Sequence, residues 1–121
     1  MRQIKFRAWD KDKKEMVKVR NIVWRRMDRG FWTINESNPD IFELMQFTGL
    51  TDKNGKEIYE GDIVKKYEIS FGKVPVIIEW EDKRAGWSIV SGRRCEVIGN
   101  IYENPTAIKQ KVGGENALMS L

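Results

Sequence analysis

Met45-Gln46-Phe47-Thr48-Gly49-Leu50-Thr51-Asp52-Lys53-Asn54-Gly55-Lys56-Glu57-Ile58-Tyr59-Glu60-Gly61-Asp62-Ile63-Val64 is the stretch whose reading decides the fold. Asn54-Gly55 favours positive φ at successive positions, the requirement of a tight hairpin connection. Ahead of it, apolar Met45 and Phe47 alternate with Gln46 and Thr48, the period of an extended segment, which is interrupted at Gly49. After it, Glu57 to Glu60 leads into Gly61-Asp62, a second turn signal, and Ile63 and Val64 open a β-branched run. The plainest reading is a hairpin followed by a tight corner, with Gly, Asn and Asp serving backbone geometry. The functional reading is an exposed loop presenting Lys53, Lys56, Glu57 and Tyr59 to a partner.

Upstream, residues 2–10 alternate, with Ile4, Phe6 and Ala8 on one face and Lys5, Arg7 and Trp9 on the other. A charged turn at residues 10–15 leads into a second β-like run, Met16 to Trp24. The expected first hairpin therefore spans about residues 2–24, its outer face carrying some of Arg2, Lys5, Arg7, Lys18 and Arg20. Arg25, Arg26 and Arg29 then precede a glycine turn, and Phe31 to Ile34 make another short strand. These arginines form either a polar connection or a basic knob beside Trp24 and Trp32, able to hold phosphate and stack bases. Burial of the aromatics favours the first. Residues 35–40 read as a loop, and residues 40–45 as one helical turn capped by Asp40 or as extended chain.

Downstream, residues 62–69, 74–80, 87–90 and 95–102 read as short strands. They are separated by an open turn at 70–73, a charged loop at 81–86 and a turn at 91–94. Strands at this spacing favour a small all-β barrel, with Pro75 at a sheet edge. Asn104-Pro105 closes the unit. Residues 106–112 read as a helical turn, and the rest as a frayed tail whose Leu118, Met119 and Leu121 could dock on a neighbouring copy.

The segment from Phe47 to Val64 closely resembles the signature of the YopX family. Ile4-Lys5-Phe6-Arg7-Ala8-Trp9-Asp10 resembles the family's opening strand, and the segment from Val97 to Pro105 its closing one. The resemblance covers nearly the whole chain, from about residue 2 to about residue 108. It implies a mainly β fold: an N-terminal β subdomain at 1–44, an SH3-like barrel at 45–108 and a tail at 109–121, in one compact unit. It also implies a phage or prophage accessory protein made in the host bacterial cytoplasm. It implies no activity and carries over no catalytic residue.

A chain of 121 residues with five Trp, five Phe and three Tyr has the material for one packed domain. No apolar run is long enough to span a membrane and none forms a signal peptide. Histidine is absent, which removes the usual general base, His-based triads and zinc sites with His ligands. The single cysteine, Cys95, excludes an intrachain disulfide. It follows Arg93 and Arg94 but opens a strand, where a buried inert thiol is usual. The acidic residues lack metal-loop spacing, and Asp10 and Asp12 read as a solvated turn. The carboxylates at 57–62 and 79–82 read as solvated and paired with lysine or arginine rather than as acid/base pairs. No enzyme, cofactor or metal is expected.

The net charge is +4, and residues 1–40 carry 11 Lys/Arg against 6 Asp/Glu. The first expectation is a non-enzymatic interaction or assembly module whose partner is another copy of the chain or a phage or host protein. The alternative is nucleic-acid binding through the basic first third. The candidate contacts are Arg25, Arg26, Arg29, Trp32, Lys53, Lys56 and Tyr59.

Overall fold

The computed structural model describes residues 3–25, 31–68, 72–89, 91–105, 110–112 and 115–117. Strands β1 (Phe6–Asp10) and β2 (Glu15–Lys18) form the expected hairpin. Its turn has no glycine, and Lys14 takes φ 54° instead. Asp10 is buried rather than solvated, because its carboxylate accepts the amides of Asp12 and Lys13 and closes the turn. The run expected from Met16 to Trp24 splits at Arg20-Asn21. Strand β3 (Ile22–Arg25) leaves β1 and pairs with β4 (Phe31–Ile34) as a separate ribbon.

The break after β2 is held from the far side. Asn35 Oδ1 accepts the amides of Arg20 and Asn21, and its Nδ2 donates to the Lys18 carbonyl. Asn35 and Glu36 both have positive φ, and Ile34 and Ser37 exchange backbone hydrogen bonds across them. This two-residue turn, read from sequence as open loop, is where successive positive φ occurs. In the Asn54-Gly55 turn only Gly55 is positive, at 83°.

The expected helical turn shrinks to a 3-10 turn, Pro39–Ile41, capped by Asn38 rather than Asp40. Strand β5 (Phe42–Thr51) follows at once and is the longest. Its first half pairs with β1, from Phe6↔Gln46 to Asp10↔Phe42. Its second half pairs with β6 (Glu57–Tyr59), giving a sheet ordered β2-β1-β5-β6. Strand β5 thus crosses position 44/45 without interruption. Gly49, at φ 89°, does not end the strand. Thr48, Gly49 and Leu50 together oppose Ile58, a bulge pinned by the Thr48 hydroxyl donating to the Ile58 carbonyl at 2.7 Å.

Strand β7 (Asp62–Glu68) lies between β8 (Gly72–Ile77) and β11 (Cys95–Asn100). Pro75 sits on β8, an edge strand of this sheet among the described residues, where a residue without an N–H is best tolerated. The expected strand at 74–80 bends after Ile77. Ile78 stays bonded to Asp62 and Gly61, and β9 (Trp80–Glu81) turns to meet β10 (Gly86–Trp87). Residues 110–112 and 115–117 pair as antiparallel strands, β12 and β13, where the end of a helical turn and the start of a frayed tail are expected; residues 106–109 of that expected turn lie outside the described residues. Leu118, Met119 and Leu121 lie outside the described residues.

The main core gathers Ile58, Val64, Ile78, Ile89 and Cys95, with Leu50, Val76, Trp87 and Val97 against it. Each fully buried aliphatic contributes about 1.5–3 kcal/mol. Asp52 ties the β5–β6 turn to this core. Its carboxylate accepts the amides of Asn54, Lys56 and, across 45 residues, Val97. Burial pushes this carboxyl up, yet the three backbone bonds outweigh it and hold Asp52 below the ordinary carboxylate value. A lowered folded value means stability present above the unfolded value and lost as pH falls through the folded one. Asp52→Asn, which keeps the size but not the charge, is therefore expected to cost about 1–3 kcal/mol at neutral pH. Urea titrations at neutral and acidic pH check this, since the deficit should shrink as the wild-type carboxylate is protonated.

Candidate functional site

Alternation along β1 sends Arg7 and Trp9 to the face expected to be outward. The structure covers that face instead. Trp9 stacks on Tyr102, with ring centroids 5.9 Å apart and planes 19° apart. The Arg7 side chain, only 16% exposed, bonds Asp62 at 2.6 Å and the Glu60 carbonyl at 3.4 Å. Its guanidinium lies 4.7 Å from the Tyr59 ring centroid. The Asp62 side chain is 2% exposed, and its second oxygen accepts the Tyr59 amide, closing the Glu60-Gly61 corner. Asp62 is thus a buried partner of Arg7, not the solvated carboxylate read from the sequence. Burial pushes its carboxyl above the usual value, with Arg7 and the Tyr59 amide pulling back incompletely.

Around this pair the side chains form a cationic and aromatic layer. Lys5 bonds Glu57 and lies 4.8 Å from the Phe47 ring centroid. The bond to Glu57 raises the Lys5 ammonium. Phe47 and Tyr59 pair across β5 and β6 with centroids 5.4 Å apart. Burial, reinforced by the Glu57 charge, raises the Tyr59 phenol against the opposing pull of Lys5 and Arg7. Two clefts share Arg7. One, of about 390 Å³, runs from Lys5, Glu57 and Tyr59 to Lys18 over the apolar side chains of Met16 and Val17. The other, about 350 Å³, lies toward Lys56, Asp62, Asn100 and Asn104.

The expected contact residues separate onto different elements. Lys53, exposed at the β5–β6 turn, pairs with Glu96 at 3.1 Å. Lys56 is exposed beside the second cleft, and Tyr59 is half-buried in the layer just described. Trp32 lies on the β3–β4 ribbon opposite Trp24. Arg25 contributes backbone to β3, and Arg26 and Arg29 lie outside the described residues. Burial of the ribbon's aromatics was the favoured reading, yet Trp24 is 64% exposed, its ring 6.1 Å from that of half-buried Trp32. Ile22 and Val23 are exposed beside it.

Chemistry of the nucleophilic kind has no setting at Cys95. The thiol is fully buried, and burial raises it despite the nearby Lys66 charge. Among the described residues no group of three or more His, Cys, Asp or Glu is placed to hold a metal.

A family model described as YopX protein matches residues 5–109. A crystal structure of protein EF1440 from Enterococcus faecalis superposes with a TM-score of 0.59 at 28% identity, covering 87% of this chain and 97% of that one. No curated protein matches.

Proposed function

This chain belongs to the YopX family, and we propose that it acts as a non-enzymatic interaction and assembly module, a phage or prophage accessory protein of the host bacterial cytoplasm. The observation that carries the reading is the β3–β4 ribbon. Three consecutive apolar side chains, Ile22, Val23 and Trp24, are exposed at 40%, 41% and 64%. Among the described residues neither strand joins another named strand. Exposed apolar strands with open edges are sites for adding a further strand. On this reading the partner is another copy of the chain, meeting ribbon to ribbon. The hairpins from β5 to β11 serve as the scaffold, in the manner of an SH3-like barrel. Support comes from backbone bonds joining Lys53 to Cys95, Gly61 to Ile78 and Ser88 to Glu79. Among the described residues no helix is long and apolar enough to cross a membrane.

Trp24→Ser tests the reading. A central aromatic of an interface contributes about 2–4 kcal/mol, so self-association should weaken about 30-fold or more. Monomer stability should change little, because Trp24 is mostly outside the core. Light scattering over a concentration series reads the first and urea unfolding the second. A strictly monomeric wild type would sink the proposal. The exposed Trp24 beside Arg25 supports one second reading, a stacking platform for single-stranded nucleic acid. Oligonucleotide binding that collapses with salt and is lost in the Arg25→Ala, Arg26→Ala, Arg29→Ala triple variant would put that reading first.

A further inference from the structure

The register of β1 against β2 sets Arg7 directly opposite Lys18. Like charges directly opposite on an antiparallel pair repel. Arg7 is offset by Asp62, and Lys5 by Glu57. The Lys18 side chain has no ion pair or hydrogen-bond partner among the described residues. A second observation is independent of the first. The Nε of Arg7 is buried with no hydrogen-bond acceptor. Burial keeps Nε itself out of reach of a ligand in the cleft, but it leaves the guanidinium one acceptor short, so a negative charge close to it is favoured. Arg7 and Lys18 both line the 390 Å³ cleft, whose volume lies in the range of small-ligand sites.

We propose that this cleft is a phosphate-binding site, in which one phosphoryl group sits between Lys18, Lys5 and the terminal guanidinium nitrogen of Arg7 that Asp62 does not engage. Arginine presents several N–H donors in one plane, and Asp62 engages only one terminal nitrogen, leaving donors for an oxyanion. Met16 and Val17 offer an apolar wall to whatever carries the phosphate. Glu57, on the same cleft, stays with Lys5 and excludes a second anion. The charge deficit at Lys18 is one unit, which suits one phosphoryl group rather than a polyphosphate. The group can belong to a phosphomonoester such as a mononucleotide or to the phosphodiester of a nucleic-acid strand. The site is separate from the β3–β4 ribbon, so it stands or falls without the assembly reading.

The test follows amide and Arg7 side-chain NMR resonances of the full chain during titration with inorganic phosphate, uridine monophosphate and an oligothymidylate. The expected result is saturable movement of the Arg7 Nε–H and of β1–β2 amides. Lys18→Gln is an exposed substitution that leaves the core untouched, and it should weaken binding about fivefold. Lys83→Gln, exposed between β9 and β10 and lining neither cleft, should leave binding unchanged. Preference for uridine monophosphate identifies a monoester ligand, and preference for the oligothymidylate a nucleic-acid strand. Absence of Arg7 movement with all three probes overturns the proposal. Equal losses in Lys18→Gln and Lys83→Gln overturn it as well, since they would report nonspecific charge.

Discussion

Arg7→Met should destabilise the protein by about 3–5 kcal/mol, the usual cost of removing one partner of a buried ion pair. The substitution strands Asp62, whose side chain is 2% exposed and whose other oxygen is committed to the Tyr59 amide. It also uncovers the Tyr59 ring on which the guanidinium lies. Two checks separate this from simple loss of packing. Adding Asp62→Asn should recover much of the loss, because a neutral amide can still accept the Tyr59 N–H without a buried charge. The pH dependence has a defined sign. Asp62 already titrates above its unfolded value because of burial, and loss of Arg7 removes the strongest opposing pull. A raised folded value means the ionised form weakens the fold, so the Arg7→Met deficit should be largest at neutral pH and shrink on acidification toward the folded value. A deficit independent of pH, with no rescue by Asp62→Asn, would show that packing alone accounts for the effect.

Gly92→Ala is expected to cost about 3 kcal/mol or more, at the upper end of overpacking penalties. A Cβ at this position would stand 1.8 Å from the Thr51 carbonyl oxygen and 2.7 Å from its carbon. Both atoms are backbone at the end of β5, so no side-chain rotation relieves them. Gly92 also supplies the carbonyl that accepts the Cys95 amide at 3.0 Å, so displacement would pass directly into β11 and the main core. Gly55→Ala is the control. Gly55 has φ 83° and nothing within 4 Å of a built Cβ, so only backbone strain of about 1–2 kcal/mol is expected there. Thermal or urea unfolding of the two variants side by side checks the order. Equal costs would show that the approach of Thr51 is not what constrains residue 92.

These two sites also show where reading the chain stops. Gly92 is legible as a turn glycine, but the carbonyl that forbids a side chain there comes from Thr51, far away in sequence. Arg7 is legible as one face of an alternating strand. Whether that face meets water depends on the corner at Glu60 to Asp62 folding over it, 55 residues later. The same holds for Asp62, grouped with solvated carboxylates because its neighbours Glu57 and Glu60 are acidic. On the ribbon the error ran the other way. Aromatics are usually core, yet Trp24 is exposed because β3 leaves β1 and, among the described residues, pairs with β4 alone. The departure is held by Asn35, fifteen residues downstream of Arg20.

By itself the sequence determined what depends on neighbours along the chain. The mainly β character, the hairpins around residues 10–15, 52–56 and 81–86, the edge placement of Pro75 and the membership in the YopX family all follow from short spacings or ordered motifs. Only the tertiary structure decided which faces are buried, where the run after Met16 divides, and that Arg7, Lys18 and the Lys5–Glu57 pair come to line one cleft. The physical reason is that alternation tells which side chains share a face but not what covers it. Desolvation and pairing, which set the chemistry of a charged group, are properties of the covering segment.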